Sequence, residues 1–383
     1  MATHGVIQAI AAQASVSVLV LTPTPHSEET IRAAQDYYSK TCRSLSCHSF
    51  PHLNPSRSLL VKAWHYLTGY PRQGFWSREA EQILIEQIRD TGCQVLWCNT
   101  THEAKYLRAG KQMNCRTVIT TQNVESDLIR QEMKATSGIS RFVTWVRARD
   151  LRRLEKMAAR WADVVTAITN VDLEYYARLK SADRVFLLPF GFVAVENAAR
   201  ADVSREEPNT ICFVGSMDWP PNAKAARHLV HEIMPLVWEK IPEAKCFLVG
   251  RNPDAEVQIL ASDRVVVTGR VPSVREYYDR APVMVVPIQG VGGVKIKLID
   301  AMAAGKAVVT TSAGAAGLNV IHGKHLLIAD TPGDFANAVV RLLENREERQ
   351  KLEERSRRFV AEHVSPKETE GQVNRILQCL KQL

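Results

Sequence analysis

The residues of this chain best placed to do chemistry are Gly290, Gly292 and Gly293, followed by Lys295 and Lys297 and then by Asp300. A glycine-rich turn between a strand and a helix leaves backbone N–H groups uncovered at the positive end of the helix dipole, where a phosphate can sit. Two lysines in the first turn add side-chain charge. Asp300, about a turn further on, offers a carboxylate suited to a ribose diol. Together these groups describe a site for a nucleoside diphosphate. The turn lacks the Gly-Lys-Ser/Thr ending of a P-loop and the Gly-x-Gly-x-x-Gly spacing of a dinucleotide fold. Glycines and lysines in this arrangement also occur at ordinary solvated helix starts, so the elements around them matter.

Those elements read as α/β. The turn follows the β-favouring run Val283–Ile288 and its helix leads into a second buried run, Ala307–Thr311, which is the grammar of a parallel sheet. The same alternation fills two blocks. The first contains strands at residues 15–22, 94–98, 117–120, 164–168 and 185–188, with a helix over 79–90. The second contains strands at 210–215, 245–250 and 264–269, a helix over 223–239, and helices over 334–343, 346–363 and 369–383. Strands ending in Gly215, Gly250 and Gly269 place tight turns at their carboxyl ends, the side on which open parallel sheets bind ligands. Residues 196–208, with few large apolar groups, read as the linker between the blocks.

At 383 residues the chain is long enough for two domains, and its 45% hydrophobic and 23% charged content is that of a globular protein. No apolar run approaches the roughly 20 residues that span a bilayer, and Met1-Ala-Thr-His-Gly5 lacks a basic start, so a cytoplasmic location is expected. The eight cysteines have no Cys-x-x-Cys or metal-finger spacing and read as reduced, mostly buried thiols; no metal site and no bound cofactor are expected. No Ser/His/Asp spacing suggests a nucleophilic triad. The net charge of +8 concentrates in residues 141–160, a helical pattern rich in arginine with Phe142 and Trp145 among the cations. This is either an amphipathic helix with a solvated basic face or a contact for an anionic membrane surface or a pyrophosphate-bearing acceptor. Nucleic acid is not an expected partner, because no binding module accompanies the charge.

With these residues assembled, residues 210–365 resemble the donor-binding domain of the retaining glycosyltransferases of family 4, and within them the bacterial subgroup that builds exopolysaccharides. The resemblance rests on Phe213-Val-Gly-Ser-Met-Asp-Trp-Pro-Pro-Asn222, Phe247-Leu-Val-Gly250, Val267-Thr-Gly-Arg-Val271, the Gly290–Lys306 loop and helix, and Ala329-Asp-Thr-Pro332. It implies a GT-B fold, in which two Rossmann-like doubly wound parallel-sheet domains face a cleft. It also implies a sugar transfer that needs no metal, from a UDP- or GDP-sugar to a glycan or lipid-linked acceptor. On this basis Gly215 and Ser216 approach the diphosphate together with Gly250. Lys295 and Lys297 neutralise it as it leaves, helped by the amides of Gly292 and Gly293. Arg270 and Val271 lie where the nucleobase is held, and Asp300 stands in for the glutamate that holds the ribose. The first glutamate of the family's paired motif falls on Gly292.

The amino-terminal half departs further from the pattern. In Thr121-Gln-Asn-Val-Glu-Ser126 the position usually held by a histidine near the transferred sugar is Gln122, followed by Asn123 and Glu125. His102, after a strand in Asn99-Thr-Thr-His-Glu-Ala104, can supply an imidazole from a neighbouring loop, or it is a surface histidine at a helix start. Glu125 and Arg130 are candidates for acceptor or phosphate contact. The run from Val6 reads as the helix that follows a first strand and glycine loop missing or replaced here. The expected organisation is an acceptor domain of residues 1–195, a linker of 196–208, a donor domain of 209–365 and a last helix over 366–383 crossing back to the first domain. Gln122 and the shortened start also fit a catalytically impaired paralogue that binds nucleotide sugar or serves as a scaffold in polysaccharide assembly. A nucleotide-sugar epimerase of the same fold would need acidic and histidine groups that the sequence does not place there.

Overall fold

The computed structural model describes residues 2–22, 26–50, 76–134, 137–188, 201–290 and 296–383. The chain divides into two compact units, Met1–Phe190 with Thr369–Leu383, and Gly191–Glu368.

The first unit carries six described strands, β1 Ser17–Thr22, β2 Ser44–Ser49, β3 Val95–Cys98, β4 Arg116–Thr121, β5 Val164–Ala167 and β6 Val185–Leu187. β3, β4, β5 and β6 form one parallel sheet in that order; β1 and β2 pair in parallel as a separate sheet, with Ser17 opposite Ser44. The Val-Val-Thr-Ala of β5 is buried throughout, as expected of a strand covered on both faces. Helix Arg78–Thr91 begins where Ser77 Oγ accepts the Ala80 N–H and ends at Gly92 in the left-handed region, φ 65°. Its Ala80, Leu84 and Ile88, spaced by four, form the face turned to the core.

The helix expected at Val6 is present as Ala2–Ala11. Helix Ala2–Ala11 precedes β1, and the unit of β1, helix Glu28–Tyr38 and β2 comes after it. Val6 and Ala9 are buried against Val373, Ile376 and Leu380 of the last helix, Pro366–Lys381, beside Val118, Val164 and Leu188. Residues 23–25, which follow β1, lie outside the described residues.

The second unit holds β7 Thr210–Val214, β8 Lys245–Val249, β9 Val265–Val267, β10 Val283–Val286, β11 Ala307–Thr310 and β12 Leu327–Ile328. All pair in parallel, in the order β12-β11-β10-β7-β8-β9. The chain therefore winds outward from β7 in both directions, first through β8 and β9 and then through β10, β11 and β12. The order reverses between β7 and β10, and in such sheets the crevice outside the carboxyl ends at the reversal is where ligands bind. Phe213, Phe247, Met284, Leu298, Met302, Val308, Phe335 and Val339 are among the side chains of its core.

The polar segment before β7 is not a free connector where it is described. Its amide at Ala201 donates to Ala304 O and that at Glu207 donates to Arg280 O, each at 2.8 Å. Glu206 accepts from Lys306 Nζ at 2.6 Å, and Arg349 Nη2 lies 3.4 Å from its other oxygen. Lys306 is fully buried, so Glu206 is the counter-charge that makes its burial tolerable. Polar composition marked these residues as a linker because their ionic partners, Asp279, Arg280, Lys306 and Arg349, lie more than seventy residues away in sequence.

Candidate functional site

At the reversal, β7 runs into Gly215 and β8 into Gly250. The two turns touch through backbone: a Cβ on Gly250 would fall inside the van der Waals radius of the Gly215 carbonyl oxygen. The Gly215 N–H donates to Val249 O at 2.9 Å, which ties the turns together. A Cβ on Gly215 would lie 2.9 Å from both Lys297 Nζ and Asn222 Nδ2. Glycine at these two positions is thus a requirement of close approach.

Lys297 reaches this turn from helix Ile296–Ala303, which follows β10. Its ammonium donates to Asn222 Oδ1 at 2.5 Å and lies 4.9 Å from the centre of the Phe213 ring. Asn222 is buried on helix Pro220–His228, and its amide nitrogen donates to Ser216 O at 2.8 Å. One asparagine thus holds both the lysine and the turn it overhangs. The serine is held as well, since Ser216 Oγ contacts Asp218 at 2.5 Å and accepts from Arg251 Nε at 2.8 Å. The sequence pattern singled out Gly215, Ser216, Gly250 and Lys297, and the structure brings them together. It did not single out Asn222 as a tether, although the asparagine closes the Trp219-Pro-Pro-Asn222 run that starts the helix.

Asp300 sits three residues after Lys297 and is 8% exposed. Tyr278 beside it is fully buried; burial, and then the Asp300 charge, push its hydroxyl well above the usual range. Arg270 is exposed and Val271 half-buried, after Gly269 (φ 66°) at the carboxyl end of edge strand β9. Gln289, at the start of the glycine loop, has its Nε2 3.1 Å from Nε2 of buried His228, whose Nδ1 lies 2.9 Å from Glu232. Gly292, Gly293 and Lys295 lie outside the described residues.

The candidates of the first unit gather at the carboxyl ends of β3 and β4. His102 lies in the 3-10 turn Thr101–Tyr106 after β3, and Glu125 opens helix Glu125–Lys134 after β4. Their side chains meet, Nε2 to Oε2, at 2.9 Å. Gln122 Nε2 approaches Asn99 O at 3.4 Å, so its amide leans toward the loop that carries His102. The Oδ1 of Asn123 is buried and has no hydrogen-bond partner among the described residues. Arg130 pairs instead with Asp127, at 3.0 Å. A carboxylate below the helix fixes its start, as Glu155 accepts from both the N–H and the hydroxyl of Ser126 and from Tyr175. Sequence reasoning missed Lys105 on the same turn. It is buried, and desolvation pulls its ammonium down to about 8. Its only signal in sequence is a lysine two residues after Glu103 in a turn, which solvated lysines share.

Residues 208–345, within the second unit, match the family described as glycosyl transferases group 1. A 44.6 kDa uncharacterized protein of the cps region of Klebsiella pneumoniae is 27% identical over 144 residues, which cover 35% of this chain and 37% of that protein. The chain thus spans little more than a third of that curated relative. Solved structures match along nearly the whole length. The crystal structure of Anabaena Alr3699/HepE in complex with UDP and glucose has a TM-score of 0.67 at 13% identity, over 98% of this chain and 95% of that one. The sucrose-phosphate synthase of Thermosynechococcus elongatus has a TM-score of 0.62 at 18% identity, over 96% and 99%. A glycosyltransferase of Rickettsia africae has one of 0.63 at 12%, over 96% and 99%. At these identities the likeness is one of fold, and the fold is the two-domain α/β GT-B type.

Proposed function

We propose that the protein is a family 4 glycosyltransferase that moves a sugar from a nucleoside-diphosphate sugar to a glycan or lipid-linked acceptor, with retention of anomeric configuration and without a bound metal. The observation that carries this reading is Lys297, tethered by Asn222 over the Gly215 turn at the reversal point of the second unit's sheet. A fixed ammonium beside a turn without side chains is suited to a diphosphate, first as the donor's anchor and then as the leaving group. Charge that grows on the departing phosphate meets a donor already in place, which lowers the barrier without reorganisation. Lys295 and the Gly292 and Gly293 amides complete the cradle in this reading, with Asp300 on the ribose, Arg270 and Val271 on the base, and His102, Gln122, Asn123 and Glu125 on the acceptor side. The UDP in the Anabaena complex and the cps-region relative support a UDP-sugar donor and a surface glycan as product.

The test is thermal stabilisation by UDP against GDP, followed by transfer assays with a panel of nucleotide sugars in the presence of EDTA. A nucleotide at about 100 times its dissociation constant adds roughly 2.7 kcal/mol if it binds only the folded chain. Stabilisation by neither nucleotide would overturn the donor site. A second reading, a nucleotide-sugar-binding paralogue without turnover, is favoured by the amide of Gln122 where the family carries an imidazole. Binding without transfer from any nucleotide sugar in the panel selects it.

A further inference from the structure

The basic helix of the first unit, Gly138–Trp161, has two distinct halves. Toward its start Ile139, Phe142, Val143 and Trp145 project into solvent, with Ile139 85% and Phe142 59% exposed. Phe142 and Trp145, one turn apart, stack at 6.0 Å between ring centres. Four large apolar side chains within seven residues on one exposed helix are not a solvated face. Further along, the same helix and helix Glu125–Lys134 enclose a pocket of about 300 Å³, lined by Arg130, Arg149, Arg152, Arg153 and Lys156 together with Trp145.

Five cations therefore line one concavity. Of the acids near them, Asp127 pairs with Arg130, and Asp150 lies 4.0 Å from Arg153. Glu155 is turned to the opposite side, held by Ser126 and Tyr175. Among the described residues, the five cations of the lining outnumber Asp127 and Asp150. The Arg149 guanidinium lies 5.7 Å from the centre of the Trp145 ring, so the apolar patch and the cationic pocket share a wall.

We infer that this surface docks on an anionic phospholipid bilayer, with Phe142, Trp145 and their apolar neighbours entering the interface and a lipid phosphate seated in the pocket. Apolar insertion alone would not require five cations, and a pocket for a free anion would not require exposed Ile139 and Phe142 beside it. The combination is that of an interfacial helix on a charged leaflet. No helix among the described residues is long and apolar enough to cross a membrane, so the attachment is to the surface.

The experiment is co-sedimentation of the full chain with vesicles of phosphatidylcholine containing phosphatidylglycerol, against phosphatidylcholine alone. Binding is expected to the anionic vesicles only and to weaken with salt, and each cation removed should cost roughly fivefold in partitioning. Arg149→Gln with Arg152→Gln tests the pocket, and Phe142→Ser with Trp145→Ser tests the patch. Both pairs should lose binding while circular dichroism and thermal midpoint stay those of the parent. Equal binding to neutral and anionic vesicles would overturn the inference, as would full binding by either double variant. So would saturable binding of inorganic pyrophosphate, or of RNA, without any vesicle binding. Vesicle binding needs neither donor nor acceptor, so its failure leaves the sugar-transfer reading untouched.

Discussion

The two units of this protein use the same parallel-sheet grammar to different standards. In the second, β10 and β11 are buried at every residue and six strands form one sheet. In the first, β1 and β2 bury only Thr22 between them and stand apart from the other four strands. The candidate sites differ in the same way. That of the second unit is made of backbone approaches, Gly250 on Gly215, with one tethered lysine above them. That of the first is made of side chains, His102 on Glu125 with Gln122 alongside. On the proposed function, a diphosphate presents the same charge and shape whatever sugar it carries, so a site for it can be built into the backbone. On the same reading the acceptor varies, and side chains on loops can vary with it.

Removing the tethered charge should have the largest effect. Lys297→Met is expected to lower transfer about 10²- to 10³-fold and to abolish the thermal shift with nucleotide, on the scale of losing one preorganised donor to a developing charge. His102→Asn should leave that nucleotide shift intact. A Lys297→Met protein still stabilised by UDP or GDP would break the division of labour between the units.

The next effect is on stability, and it contrasts a glycine from each unit. A Cβ on Gly250 meets the Gly215 carbonyl, which is backbone and cannot step aside, so Gly250→Ala should cost about 3 kcal/mol in urea unfolding. A Cβ on Gly110, in helix Leu107–Gln112 of the first unit, would lie 2.7 Å from the tip of Leu96, a side chain that can rotate. Gly110→Ala should cost about 1 kcal/mol or less, offset in part by the better helix propensity of alanine. Equal costs would mean that the Gly215–Gly250 contact is not rigid.

The contrast also explains what was legible in the sequence. Runs such as Val283-Met-Val-Val286 and Ala307-Val-Val-Thr310 announce buried strands because nothing else tolerates so many β-branched residues in succession. β2, Ser-Leu-Ser-Cys-His-Ser, carries no such signal, and it forms because β1 supplies a parallel partner. Among site residues, Gly215, Gly250 and Lys297 could be read from turns that follow strong strands. Asn222 could not, because its role depends on a lysine 75 residues later. The pairing of His102 with Glu125 was equally invisible, since it depends on β3 and β4 being neighbours. The helix at Val6 was legible, but its packing partner was not, because that partner is the last helix of the sequence.

Lys105 gives a third way to separate the units, since it is a cost carried by the first unit alone. Its ammonium titrates at about 8 in the folded chain, below the ordinary 10.5. Between those values the unfolded chain binds more protons, so stability rises with pH and the penalty is complete only below about 8. Lys105→Met should therefore be more stable than the parent near neutral pH by about 3 kcal/mol, with the gap closing as pH rises toward 10.5. Urea midpoints of both proteins across that range measure it. A stabilised variant that keeps transfer marks the lysine as a structural burden. A stabilised variant that loses transfer, with nucleotide binding retained, places Lys105 in the acceptor site.

The smallest expected effect tests the first unit's side-chain site most directly. His102 and Glu125 are each partly exposed, with side chains 21% and 27% accessible, so their coupling should be about 1 kcal/mol rather than that of a buried pair. A double-mutant cycle with His102→Asn, Glu125→Gln and the combined variant separates two roles. If the pair positions an acceptor, the coupling appears in kcat/KM for transfer while the nucleotide-induced thermal shift stays constant through the cycle. If the pair only braces the turn after β3 against the helix after β4, the coupling appears in urea stability and kcat/KM is additive. The second result would leave Gln122, Asn123 and, if its own test supports it, Lys105 as the side chains proposed for the acceptor side, and the proposed contrast between a backbone-built donor site and a side-chain-built acceptor site would then rest on them.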